Sequence, residues 1–352
     1  MTRLCTFGFD DPSEFLLGTP QDEGLASGQK VTGLGFIRRL PTNLVGVGNM
    51  GMLIIGGNAT VWQYNLGANI TDLYFAGSFY AQALTNAQQI VAFDTRTDLA
   101  WSSTLNIIWN TDGSLSLRRG TTVLASSSAG LVATNTKYCL ECYVKPRDSG
   151  GEFTVKLDGT QIATYAGDTT DSAGSSDSFR IYSCNTGTTQ WTFWDDVIAN
   201  SNAGSTNNTW IGRVFLWPLH AIGAGNSQQL DRGGIDMGSN FAQIRDPDPG
   251  GAHYLQGDLN DIDLFTVDCP DIPAGATINN IIVQGVGKST GGAGLIALLC
   301  RCGGTTSTGS DQTLTASPMI RQEVFAVCPD DSAAWAEADL ANGLEIGVKI
   351  RS

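Results

Sequence analysis

From residue 138 onward the chain alternates apolar and polar positions with a period of two. In Tyr138–Lys145, Tyr138, Leu140, Cys142 and Val144 fall on one face, and Cys139, Glu141, Tyr143 and Lys145 on the other. This is the pattern of a half-buried strand. Phe153, Val155 and Leu157 continue it, Asp158-Gly159 breaks it, and Ile162 and Tyr165 resume it. Strand, Asp-Gly, strand is a strong short-range hairpin signal. Trp109-Asn110-Thr111-Asp112-Gly113, followed by Leu115 and Leu117, repeats the device. Further strands are predicted at Phe179–Cys184, Trp191–Ile198, Trp210–Leu219, Asp261–Val267, Thr277–Gly287, Gly294–Cys302, Met319–Cys328 and Leu344–Ile350. Leu44–Ile55 reads as buried strand, because Asn49 and several Gly interrupt it and it is too short to span a bilayer. Only Ser332–Ala341 has a helical pattern, with Asp331 or Ser332 as its cap.

Short strands joined by hairpin turns and Gly/Ser/Thr-rich connections, with almost no helix, define an all-β sandwich or barrel. At 352 residues the chain exceeds what one core usually serves, so two domains are expected. Ile222–Gly234 is rich in Gly, Gln and Asn and has little periodicity. It places the boundary there, giving a first domain over 1–222, a linker over 223–235 and a second domain over 236–352.

Charge narrows the function. Charged residues make up only 15% of the chain and the net charge is -14, with no basic cluster. Nucleic acids and anionic membranes are bound through Lys and Arg, so neither is an expected partner. Met1–Asp10 has no secretory pattern, so folding in a cytoplasm is expected. The eight cysteines are then expected as buried free thiols.

Three segments carry a family resemblance. They are "TNTKYCLECYVKPRDSGGEFTVKLDGTQIATYAGDTT", "WTFWDDVIANS" and "WIGRVFLWPLHAIGAG". Thr134–His220 resembles the LamG-like, concanavalin A-type jelly rolls of phage structural proteins. The family's usual Leu-Gly-Asp is Ile211-Gly212-Arg213 here. Asn240–Ile350 is similar to the domain that often follows this jelly roll, through "HYLQGDLNDIDLFTVDCPDIPAGATINNIIVQGVG", "LIALLCRCGG" and "VFAVCPDDSAAW". The resemblance implies a concanavalin A/LamG-like jelly-roll sandwich followed by a smaller β-sandwich. It further implies a non-enzymatic component of a tailed-phage virion, as tail fibre, tip or capsid decoration. Its implied partners are other capsid or tail proteins, further copies of itself as a homotrimer, and a host surface glycan. The alternatives are a carbohydrate-active depolymerase and a lectin-like glycan-binding module.

Candidate chemistry is sparse. Glycoside hydrolysis needs two carboxylates facing one cleft. No Glu-x-Asp-x-x-Glu string occurs, and Asp195 and Asp196, being adjacent on a strand, are expected on opposite faces. His220 and His253 lie near no nucleophile elbow. Gly24–Lys30 lacks the full spacing of a phosphate loop, and no helix follows it. No catalytic residue and no cofactor are therefore expected. Cys139/Cys142 and Cys300/Cys302 have the close spacing of zinc ligands but sit inside strands rather than at turns. Asp246–Gly251 and Asp258–Asp263 are acidic loops of the kind that hold calcium, or else solvated turns. Most of the eight Trp lie within strands and are expected in the core, leaving Trp101 as the candidate glycan contact.

Overall fold

The computed structural model describes residues 3–7, 29–32, 36–41, 50–55, 61–84, 86–97, 100–170, 176–183, 191–203, 209–212, 219–245, 253–268, 272, 277–291, 294–316 and 319–352. The chain divides into two compact units, Met1–Trp217 and Pro218–Ser352. In the first unit the strands run β1 (Arg3–Phe7), β2 (Gln29–Thr32), β3 (Phe36–Pro41), β4 (Met50–Ile55), β5 (Val61–Ile70), β6 (Leu73–Ala81), β7 (Gln88–Thr97) and β8 (Ala100–Trp109). They continue as β9 (Leu115–Arg119), β10 (Thr122–Ser126), β11 (Lys137–Lys145), β12 (Gly151–Leu157), β13 (Thr160–Gly167), β14 (Ser176–Tyr182) and β15 (Trp191–Ser201).

These strands form two antiparallel sheets. One has the order β13-β12-β11-β6-β15-β4-β3, with β1 also paired to β15; the other has the order β10-β9-β8-β7-β14-β5-β2. The chain changes sheet between β1 and β2, β2 and β3, β4 and β5, β5 and β6, β6 and β7, β10 and β11, β13 and β14, and β14 and β15. Repeated crossing between two facing sheets is the jelly-roll arrangement. The inner faces meet in one apolar core, to which β6 gives Phe75 and Phe79, β7 gives Val91 and Phe93, β8 gives Leu105 and Ile107, and β11 gives Leu140, Cys142 and Val144. The face predicted from the alternation in Tyr138–Lys145 is the face that packs inward. At the Asp158-Gly159 turn both residues have positive φ, 50° and 80°, as a tight two-residue hairpin between β12 and β13 requires.

The second unit holds β16 (Ala221–Gln228), β17 (Asp231–Gly234), α1 (Asn240–Arg245), β18 (His253–Gln256), β19 (Ile262–Val267), β20 (Ile281–Gly287) and β21 (Gly294–Cys302). It continues through β22 (Thr305–Thr308), β23 (Gln312–Leu314), β24 (Met319–Phe325), α2 (Glu337–Ala341) and β25 (Glu345–Ile350). A six-stranded sheet, β16-β19-β25-β21-β22 with β23 on β21, packs its apolar face against the β20-β24 pair. Ile296, Leu298, Cys300 and Cys302 of β21 meet Ile281, Val283 and Phe325 in this core. Apart from two short helices, the described residues are therefore all-β, a jelly-roll sandwich followed by a smaller sandwich.

The structure departs from the sequence pattern in four places. Residues 223–235, expected as linker, carry β16 and β17 inside the second unit. Their alternation is hidden because its core-side positions are glycines: a Cβ on Gly225 would lie 2.5 Å from the Leu264 carbonyl carbon. The predicted helix over Ser332–Ala341 keeps only its last five residues, Glu337–Ala341. Ser332 has φ 60°, and the buried Trp335 donates its Nε1–H to the Phe325 carbonyl at 2.7 Å, holding the preceding residues in turns. Asn240–Arg245 is helical although no periodicity marks it. Of the strand predicted at Trp210–Leu219, Trp210–Gly212 is not strand and 213–218 lies outside the described residues. Among the described residues no helix is long and apolar enough to cross a membrane.

Candidate functional site

Inward-facing Leu73, Phe75 and Phe79 on β6, and Leu140, Cys142 and Val144 on β11, leave Tyr74 and Tyr143 on the outer face of the eight-stranded sheet. Register makes them neighbours: Tyr143 pairs with Tyr74 on β6 and Thr154 on β12, and Tyr74 pairs with Asn200 on β15. The two tyrosine rings stack at 4.7 Å. Trp210 stands edge-on to both, at 5.8 Å from Tyr74 and 6.4 Å from Tyr143. All three aromatics are half-buried.

The surrounding polar groups hold this cluster in place. The Gly212 N–H donates to Glu141 Oε1 at 2.7 Å, and Lys156 Nζ sits 3.9 Å over the Trp210 ring. Glu141 and Lys156 are themselves cross-strand partners, so the Trp210–Gly212 segment is pinned across one row of the sheet. The Tyr143 hydroxyl donates to Asp72 Oδ1 at 2.7 Å, and Arg147 lies 3.7 Å from Asp72 Oδ2. Burial first, then the neighbouring Asp72 carboxylate, pushes the Tyr143 hydroxyl well above its ordinary value, so it stays a proton donor. Burial also raises Tyr74, opposed by a hydrogen bond with Thr209. Asn200 is fully buried on the same outer face, since its neighbour Ala199 faces the core. Among the described residues neither polar atom of its side chain has a hydrogen-bond partner, which is uncommon for a buried amide. Three aromatic rings with a rim of Arg147, Glu152, Lys156 and Asp72 can hold a flat polyhydroxylated ring by stacking and by directional hydrogen bonds.

The sequence-predicted residues fall elsewhere. Trp101 lies on β8 opposite Arg96, and its side chain is outside the described residues. Trp109, Trp194 and Trp335 are buried, as expected for core positions. Trp210 is not, because it lies beyond β15 on the segment crossing the outer face. Asp195 and Asp196 do not alternate across the sheet. The register shifts between Asp195 and Ile198, and Asp196 has φ 52°. This β-bulge places two residues between the core side chains Trp194 and Val197. Both carboxyls therefore lie on the outer side, where Ser78 Oγ donates to Asp196 at 3.4 Å and the Asp196 N–H to Asp195 at 2.9 Å. Asp195, Asp196 and Glu141 are 1%, 2% and 2% exposed, so solvent does not reach them.

Of the two acidic loops, 246–251 lies outside the described residues. In the other, Asp261 accepts the Asp258 N–H at 2.7 Å, and the buried Asp263 accepts from Gln229 N, Leu230 N and Asn240 Nδ2. These carboxylates tie β16, β17 and α1 to β19 as a turn and its anchor. His220 is exposed, and His253 hydrogen-bonds the Ile235 carbonyl at 2.9 Å. The two cysteine pairs behave differently. Cys142 faces the core and Cys139 the other side, so those sulfurs diverge. Cys300 and Cys302 share the inner face of β21, where Cys302 and Cys328 meet Asp339, with the three donor atoms within 4.8 Å of one another.

No family model matches the sequence, and no curated protein matches it. Among solved structures, a carbohydrate esterase from the Shiga toxin-encoding bacteriophage phi24B is similar at 16% identity, over 57% of this chain and 99% of that one, with a TM-score of 0.40. A Bacillus subtilis protein with a galectin-like fold is similar at 10% identity, over 57% and 98%, with a TM-score of 0.37. A Bacillus subtilis carbohydrate-binding module is similar at 14% identity, over 50% and 97%, with a TM-score of 0.33. Likeness this low assigns nothing to this chain, whose fold class rests on its own strands and strand order.

Proposed function

We propose that the protein is a non-catalytic attachment element of a tailed-phage particle, whose first sandwich holds a surface saccharide against Tyr74, Tyr143 and Trp210. The observation that carries the binding role is the half-buried aromatic cluster, rimmed by side chains of both charge signs, beside a buried amide with no hydrogen-bond partner among the described residues. The resemblance of residues 134–220 and 240–350 to phage components supports the setting. Binding without cleavage is supported by the carboxyls on the same face, which are sealed from solvent and accept internal hydrogen bonds. Display of many copies on a particle converts weak single contacts into avidity. The test presents the purified chain to a panel of bacterial surface polysaccharides and scores both retention and release of reducing sugar. Retention without release supports the reading; release of oligosaccharides overturns it in favour of a depolymerase. A proteomic inventory of purified particles checks the setting, with the chain expected in many copies.

A further inference from the structure

We propose that Cys302, Cys328 and Asp339 form a site for one thiophilic divalent cation of the zinc class, which clamps the loop 326–341 to the end of β21. The three ligands come from separate stretches: the last residue of β21, the segment after β24, and the first turn of α2. Their donor atoms lie within 4.8 Å of one another. Tetrahedral zinc, with bonds of about 2.3 Å to sulfur and about 2.0–2.2 Å to carboxylate oxygen, needs donors roughly 3.5–3.8 Å apart, which that spacing admits. Two sulfurs select zinc-like ions over magnesium or calcium.

Each ligand is already fixed by backbone contacts; the one contact an ion would replace is the weak hydrogen bond from the Cys302 thiol to the Asp339 carbonyl at 3.4 Å. Cys302 pairs with Thr305 across the β21–β22 hairpin. Cys328 donates its N–H to the Ala333 carbonyl and accepts from the Ser332 N–H, both at 2.9 Å. Asp339 accepts the Ala336 N–H on Oδ2 at 2.7 Å, which leaves Oδ1 for a ligand. Both sulfurs are buried and Asp339 is half-buried, so the fourth coordination position is left to water on the solvent side. The local field favours a cation. Asp330 and Asp339 both act on Cys302, and the Asp330 carboxylate lies where a Cβ on Gly303 would stand. A bound dication replaces the two thiol protons, which leave to solvent, and takes two thiolates and one carboxylate as ligands.

The experiment titrates cobalt(II), then zinc, into the full reduced and metal-stripped chain. One cobalt per chain is expected, with thiolate charge-transfer and tetrahedral visible absorption that zinc abolishes. Cys302→Ser and Cys328→Ser should lose the signal. Asp339→Asn keeps an oxygen for the Ala336 N–H and should bind on the order of tenfold more weakly or worse. Cys139→Ser, in the other unit, should bind as wild type. Far-ultraviolet circular dichroism checks that each variant is folded. Absence of stoichiometric binding by the wild type would overturn the proposal. So would protein purified without reductant but with zinc present that carries a Cys302–Cys328 disulfide, two hydrogen atoms lighter, its two electrons taken by an oxidant such as glutathione disulfide.

Discussion

Replacing Phe79 with alanine should strip most of the stability from the first unit and leave the second unit unchanged. Phe79 is fully buried and stacks on Trp194 at 5.2 Å, with Tyr138 at 5.7 Å and Trp109 edge-on at 6.2 Å. Truncating a buried Phe to Ala costs about 3–5 kcal/mol through lost burial and the cavity left behind. Three aromatic neighbours in offset or edge geometry put this site at the upper end, about 4–5 kcal/mol. In a unit of this size each kcal/mol lowers the melting temperature by about 2–4 °C, so a fall of roughly 8–20 °C is expected. Scanning calorimetry reads the two units as separate transitions. Trp335 is the only tryptophan of the eight beyond residue 217, so intrinsic tryptophan fluorescence follows chiefly the first unit and assigns its transition. A loss below about 1 kcal/mol would refute the packing described for β6. An equal fall in both transitions would refute the division into two units.

Arg180 and Asp94 form a two-pronged ion pair on the seven-stranded sheet, with Asp94 fully buried, so Arg180→Met should cost about 3–5 kcal/mol by urea denaturation, and adding Asp94→Leu should recover much of it. Cys139, Cys142, Cys300, Cys302 and Cys328 are buried, and burial lifts the Cys300 thiol to about 12. These five should resist Ellman's reagent in the native state, whereas unfolding without reductant should release eight reactive thiols; six or fewer would reveal a disulfide. Hydrogen bonds from the Ser114 N–H and hydroxyl hold the Asp112 carboxyl below its usual 3.8. A depressed carboxyl contributes stability above its unfolded value and loses it as pH falls through the folded one, so Asp112→Ala should be less stable than wild type at neutral pH and converge with it once acid has protonated the folded-state carboxyl.

The parts of the fold that could be read from sequence are those where neighbours in sequence are also neighbours in space. The alternation in Tyr138–Lys145 names the inward face of β11, and Asp158-Gly159 names the β12–β13 hairpin, because period and turn chemistry are local. The bulge at Asp195–Asp196 is not local: Trp194 and Val197 both turn inward only because β15 packs between β6 and β4. Two adjacent acids carry no mark of that. The linker reading of 223–235 fails for a related reason. Gly223 and Gly225 are strand residues chosen for close approach to Thr266 and Leu264, and a hydrophobic pattern does not record a missing side chain. The aromatic site is the least legible element. Tyr143 stands out as an outer-face residue, but Tyr74 joins it only through the β6–β11 register, and Trp210 only through a segment that crosses the sheet after β15. Cys302, Cys328 and Asp339 likewise converge from stretches 26 and 11 residues apart, whereas the close pair Cys139/Cys142 diverges.

The central claim is tested most directly by isothermal titration of the purified chain with whichever surface saccharide it retains, comparing wild type with Trp210→Ala and Tyr143→Ala. An exposed aromatic that stacks on a ligand is a hot spot, and its loss should cost about 2 kcal/mol, a weakening of roughly thirtyfold, with melting behaviour little changed for Trp210→Ala. Affinity for that saccharide unaltered in both variants, while each remains folded, would contradict the account.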